Sequence, residues 1–134
     1  SDRLIVRGMD PMRSRRYVVA AGALLTAIAL FATVLSSGRV LAVALLTVGM
    51  FTYSLSSGVY WTLATTVVRT QKLVASMGSI QNFGGFLGGA CAPVVTGVII
   101  GHLGGFPTAL TVTAVLVLIS AAMYGVVLRR RLPI

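Results

Sequence analysis

Residues 78–97 read GSIQNFGGFLGGACAPVVTG. They lie within an apolar run, 73–128, that contains no Asp, Glu, Lys or Arg and whose one histidine is His102. Yet the stretch holds six glycines, a proline and the adjacent amides Gln81 and Asn82. In water, each glycine in a helix interior costs about 1 kcal/mol relative to alanine, so a soluble helix of this composition would be very weak. In hydrocarbon the alternative is worse, because an open backbone finds no water for its N–H and C=O groups. The stretch therefore reads as a transmembrane helix, and its glycines become a smooth contact surface. Gly84 and Gly88 are four apart, as are Gly85 and Gly89, and Gly97 and Gly101. That spacing lets another helix approach closely. Pro93 removes one backbone hydrogen bond and predicts a kink. Two uses remain open for this surface: static packing, or close packing of a helix that also moves.

Working outward, two more uncharged runs occupy 17–38 and 40–68. A span needs roughly 20 apolar residues to cross about 30 Å of hydrocarbon. The first two runs fit one span each and the last fits two. The expected fold is an all-α membrane protein with four transmembrane helices at about 17–35, 40–65, 76–100 and 107–128. Pro107 would take the first helical position, where its missing N–H does no harm. The polar segment 1–16 precedes them, and a basic tail closes the chain. Charged residues make up only 10% of the sequence, against about a quarter in soluble domains.

The formal charge of +9 does not point to nucleic acid. The cations flank apolar runs and are not interleaved with exposed aromatics. Flanking is what insertion demands, since Lys or Arg at a helix centre costs about 2.5–3.5 kcal/mol. Residues 13–38 imitate a signal peptide, but their apolar run exceeds the usual length of about 7–15 residues, and three more spans follow. A single cysteine, Cys91, excludes an internal disulfide framework and reads as a small buried filler between Ala90 and Ala92.

The cations also orient the chain. Arg3, Arg7, Arg13, Arg15, Arg16, Arg69, Lys72, Arg129, Arg130 and Arg131 fall on one side of the four-span topology, and Arg39 alone on the other. The positive-inside rule then puts both ends in the cytoplasm.

Polar residues at depth suggest a site. Trp61 lies eight residues before Arg69, and Asn82 ten after Lys72. At 1.5 Å per residue these are about 12 and 15 Å from the charged boundary. Tyr60, Trp61, Gln81 and Asn82 are thus expected at one level near the midplane, where transporters commonly bind substrate. The amides offer donors and acceptors for hydroxyls, and the indole an apolar face and one N–H. The competing readings are an interfacial aromatic belt for Tyr60 and Trp61 and an interhelical hydrogen bond for Gln81 and Asn82. No span carries Asp or Glu, so a proton-coupling carboxylate would have to lie elsewhere. His102 reads as a turn residue. The spans offer no nucleophile–base pair and no metal-ligand set, which weighs against an enzyme, and no cofactor is expected.

SDRLIVRGMDPMRSRR (1–16) resembles the cytoplasmic loop between helices eight and nine of the major facilitator superfamily. Residues 78–106, with NFGG, GG, AP and TG in order, resemble helix eleven of its anion:cation symporter branch, which includes bacterial hexuronate, glucarate and galactonate transporters. The resemblance covers the whole chain and places it as the last third of such a protein, from the end of helix eight through helix twelve. It implies a twelve-helix fold in the bacterial inner membrane and proton-coupled symport of a small organic anion, often a sugar acid. It further implies that Trp61 and Asn82, with Tyr60 and Gln81 beside them, line the substrate cavity. Asp2, Arg3 and Arg7 would belong to the loop motif at the cytoplasmic gate. The anion-binding arginine and coupling carboxylates would lie in the missing N-terminal half. Gly58, one turn before Trp61, replaces a polar residue of some sugar-acid transporters. The rival expectation is a complete four-helix membrane protein with a structural or assembly role.

Overall fold

The structure is a computed structural model that describes residue 8 and residues 10–67 and 71–127. Asp2, Arg3 and Arg7, expected at a gate, lie outside the described residues. Four long helices follow in order: α1 Pro11–Leu35, α2 Arg39–Val67, α3 Gln71–His102 and α4 Gly105–Ala122. A π-helical turn, Met123–Val127, continues α4. All four helices are long and apolar enough to cross a membrane, and the chain is an all-helical integral membrane protein.

Local chemistry sets the helix ends. The Asp10 carboxylate accepts from the backbone N–H groups of Met12 at 3.0 Å and Arg13 at 3.3 Å, and Pro11 holds the first helical position. This is an N-cap followed by a proline whose missing N–H needs no partner. Arg13, Arg15 and Arg16 therefore stand in the first turns of α1. At its other end the Ser36 hydroxyl donates to the Thr33 carbonyl at 2.8 Å. Between α3 and α4 the chain reverses at Gly104 and Gly105, whose φ values of 120° and 82° suit only glycine. Helix α4 begins at Gly105, so Pro107 is its third residue and not its first. The position still costs nothing, because N–H groups of the first turn have no intrahelical acceptor.

The packing inverts that of a soluble protein. Among the described residues five of the eight buried apolar side chains are alanines (Ala27, Ala29, Ala109, Ala114 and Ala121), and Thr26, Thr33 and Ser56 are buried beside them. Large side chains such as Leu25, Ile28, Phe51, Phe83, Phe86 and Leu116 point outward. Such an exterior suits acyl chains, and a small-residue interior is how helices associate where lipid removes the hydrophobic drive.

The most extensive contact joins α1 to α2, and α1 also packs on α4; α3 touches α2 and α4 over much smaller surfaces. Two opposed stripes explain the α1–α2 contact. On α1 they are Gly22, Thr26, Ala29 and Thr33; on α2, Gly49, Thr52 and Ser56. A Cβ on Gly22 would stand 2.5 Å from the Ser56 Cβ, and one on Gly49 would stand 3.3 Å from the Ala29 Cβ. The Thr26 and Thr52 hydroxyls meet at 3.0 Å across this seam, and the Thr26 hydroxyl also lies 2.8 Å from the Gly22 carbonyl. Back-bonding of this kind satisfies a hydroxyl in hydrocarbon without unwinding the helix.

Candidate functional site

The sequence brings Tyr60 and Gln81 together, and the structure gives the contact its form. The Gln81 side-chain Nε2 donates to the Tyr60 backbone carbonyl at 2.9 Å, which makes it an interhelical hydrogen bond between α2 and α3. The Trp61 ring stands edge-on to Tyr60, with centroids 5.4 Å apart and planes at 71°. Trp61 is 47% exposed. Asn82 is exposed on α3, one residue beyond Gln81. Trp61 and Asn82 thus flank the Tyr60–Gln81 junction and present their side chains outward.

Their depth is shallower than the count from Arg69 suggests. Gly22 opposes Ser56 in the antiparallel α1–α2 pair, which puts Trp61 level with Tyr17. The Arg15 guanidinium Nη1 donates to the Thr62 carbonyl at 3.2 Å, so a cation reaches the residue next to Trp61. Arg16 packs over the Tyr17 ring, 4.8 Å from its centroid. Helix α2 simply runs on to Val67, past the level at which α1 acquires its arginines. The four residues accordingly lie toward the basic end of the bundle and not at its middle.

Among the described residues, nothing stands against the glycines of α3. A Cβ added at Gly84, Gly85, Gly88, Gly89 or Gly97 would find no atom within 4 Å. Helix α3 continues through Pro93. Cys91, expected to be buried, is exposed on the same helix, because α3 has little of this chain against it.

A second feature was not anticipated. Helices α2 and α4 both pack on α1, and among the described residues their backbones stay apart from each other, with a cavity of about 250 Å³ between them. Its polar lining is Tyr53, Ser56, Ser57 and Tyr60 from α2 with Ser120 and Tyr124 from α4; Val19 and Ala23 of α1 and Val117 of α4 supply apolar wall. The Tyr60 and Tyr124 rings close one end edge to face, with centroids 6.1 Å apart at 83°. Tyr124 sits in the π-helical turn, an irregularity that often accompanies function. The sequence did carry a signal. Tyr53, Ser56, Ser57 and Tyr60 occupy positions i, i+3, i+4 and i+7, a single helix face, and Ser120 and Tyr124 are four apart.

Comparison with known proteins adds one finding of weight. The chain is 28% identical over 130 residues to a protein of Escherichia coli strain K12 described as a probable L-galactonate transporter. The match covers 97% of this chain and 28% of that protein. No family model matches the chain, and no solved structure matches it. The similarity takes in both the α2–α3 junction and the hydroxyl-lined cavity, since it leaves almost none of the chain uncovered.

Proposed function

We propose that the chain is the C-terminal third of a secondary transporter of the major facilitator superfamily, in its anion:cation symporter branch, carrying a small sugar acid together with protons. The observation that carries this reading is the similarity to a probable L-galactonate transporter along 97% of the chain. Four span-length helices and cations gathered at one side of the topology support it. The open glycine face of α3 fits a helix that meets the remainder of a longer polypeptide. Gly84, Gly85, Gly88, Gly89, Pro93 and Gly97 would form that contact.

In this reading Trp61 and Asn82 border the solute path near its cytoplasmic end. The indole covers an apolar C–H face of the sugar, and the amide exchanges hydrogen bonds with its hydroxyls. Tyr60 and Gln81 act through their mutual hydrogen bond, which fixes α3 against α2 at that level. Asp2, Arg3 and Arg7 would brace the cytoplasmic gate. The groups that bind the carboxylate and couple protons would come from the N-terminal half, since no Asp or Glu occurs in the four spans. The membrane would be the bacterial inner membrane, with both ends of the chain cytoplasmic.

Uptake of radiolabelled galactonate, glucarate and hexuronates by cells expressing the full-length protein tests the function. Accumulation of one of these acids that collapses on adding a protonophore is expected. Absence of uptake of all three classes from correctly inserted protein would remove the proposal. Orientation has its own test in a Cys91→Ser background. A cysteine at the exposed Ser37 should react with an impermeant maleimide from outside intact cells, and one at the exposed Arg13 should not. The reverse pattern would invert the topology.

A further inference from the structure

We infer that the cavity between α1, α2 and α4 is a second binding site, one for an uncharged polyhydroxylated molecule about the size of a six-carbon polyol. Three observations on this cavity converge. The first is its chemistry. Six hydroxyl-bearing side chains line it: Tyr53, Ser56, Ser57, Tyr60, Ser120 and Tyr124. Ser56 and Ser57 already spend their protons on the Tyr53 and Ser54 carbonyls at 2.8 and 2.9 Å. Their oxygens therefore face the cavity as acceptors, while the tyrosine hydroxyls can donate or accept. A polyol, whose every hydroxyl both donates and accepts, matches such a lining. The tyrosine rings supply apolar faces for its carbon skeleton.

The second observation is charge. Among the described residues, no Asp, Glu, Lys, Arg or His lines the cavity. An ionised carboxylate or phosphate entering a largely apolar space with no cation is strongly disfavoured. Against that lining a neutral solute is favoured over the sugar acid of the main path and over a phospholipid headgroup. The third is size and place. The volume of about 250 Å³ falls just below the range of about 300–1,000 Å³ typical of drug-sized ligands. Polar groups at membrane depth commonly mark a ligand pathway, and this cavity is open on one side, with Tyr53 and Ser120 exposed. Tyr53 through Tyr60 span about 10 Å along α2, toward the Thr26–Thr52 level and away from the arginines. Trp61 and Asn82 are not part of the lining, so the cavity meets the proposed anion path only at Tyr60.

Equilibrium dialysis of radiolabelled galactitol, a neutral six-carbon polyol, against purified full-length protein in nanodiscs tests the site. Saturable binding is expected. Tyr53→Phe with Tyr124→Phe should weaken it at least tenfold while the protein stays monodisperse. Ser120→Leu, at an exposed position of α4, should abolish it by filling the cavity, and serves alone if the double variant does not fold. Leu25→Ala, at an exposed position outside the lining, should leave it unchanged. The inference is overturned if galactitol shows no saturable binding, if the cavity variants bind it like the parent, or if Leu25→Ala abolishes it. Galactonate uptake does not enter this test, so failure of the transport proposal and failure of this one are read separately.

Discussion

Replacing Gly22 with leucine unseats α1 from α2, and the full-length protein carrying it should lose most of its folded, monodisperse population in mild detergent. The cause is distance. A Cβ at position 22 would lie 2.5 Å from the Ser56 Cβ and 2.7 Å from its Oγ, where carbon atoms normally sit about 3.5–4.0 Å apart. Neither helix can yield locally, because Gly49 is already tight against Ala29 and the Thr26–Thr52 bond lies between the two contacts. The whole seam must open. Alanine should cost about 1–3 kcal/mol, the usual range for overpacking, and leucine more. Thr26→Val, which loses the hydroxyl but not the fit, should cost about 0.6–1.7 kcal/mol, the range found for interhelical hydrogen bonds in membranes. Gly58→Ala is the control, since a Cβ there meets nothing within 4 Å. Melting followed by size-exclusion chromatography gives the ranking. A Gly22→Leu protein as stable as Gly58→Ala would disprove the seam.

The second large effect concerns transport. Trp61→Ala and Asn82→Ala in the full-length protein should each reduce sugar-acid uptake by at least about tenfold, equivalent to about 1.4 kcal/mol, at unchanged levels in the membrane. The expectation rests on the outward presentation of both side chains around the Tyr60–Gln81 junction. An aromatic-belt role for Trp61 makes a different forecast. Its proximity to the level of Tyr17 and Arg15 gives that role physical sense, and Trp61→Phe would then preserve uptake along with insertion. A solute-stacking role that uses the indole N–H loses activity in Trp61→Phe as well. Gln81→Leu separates structure from contact. It should lower melting temperature and uptake together, because the Tyr60 carbonyl loses its partner from α3.

The helices were legible in the sequence because hydrocarbon permits few alternatives. A run such as 40–68, with no charge and no water to satisfy its backbone, can only be helical, and α2 is helical throughout its described part. The packing was harder to read. The paired glycines of α3 advertised a contact surface, yet in this chain the close approach is made by the isolated Gly22 and Gly49. Their partners are serine and alanine on another helix, so no GxxxG marks them. The stripe Gly22, Thr26, Ala29 and Thr33 was the available sign. Depth was misjudged for a related reason. Arg69 was counted as the membrane boundary of α2, whereas the α1–α2 register brings Arg15 to the Thr62 carbonyl, beside Trp61. The cavity of Tyr53, Ser56, Ser57 and Tyr60 escaped notice because serine and tyrosine in an apolar helix satisfy themselves locally and so look unremarkable until α4 adds Ser120 and Tyr124.

Solvent access at Asn82 bears most directly on the proposed solute path. In a full-length Asn82→Cys, Cys91→Ser protein, a charged methanethiosulfonate reagent should modify position 82, and saturating galactonate should slow the reaction severalfold. A thiol at position 82 that stays unreactive, or reacts at the same rate with and without every transported acid, would contradict a water-filled path along α2 and α3.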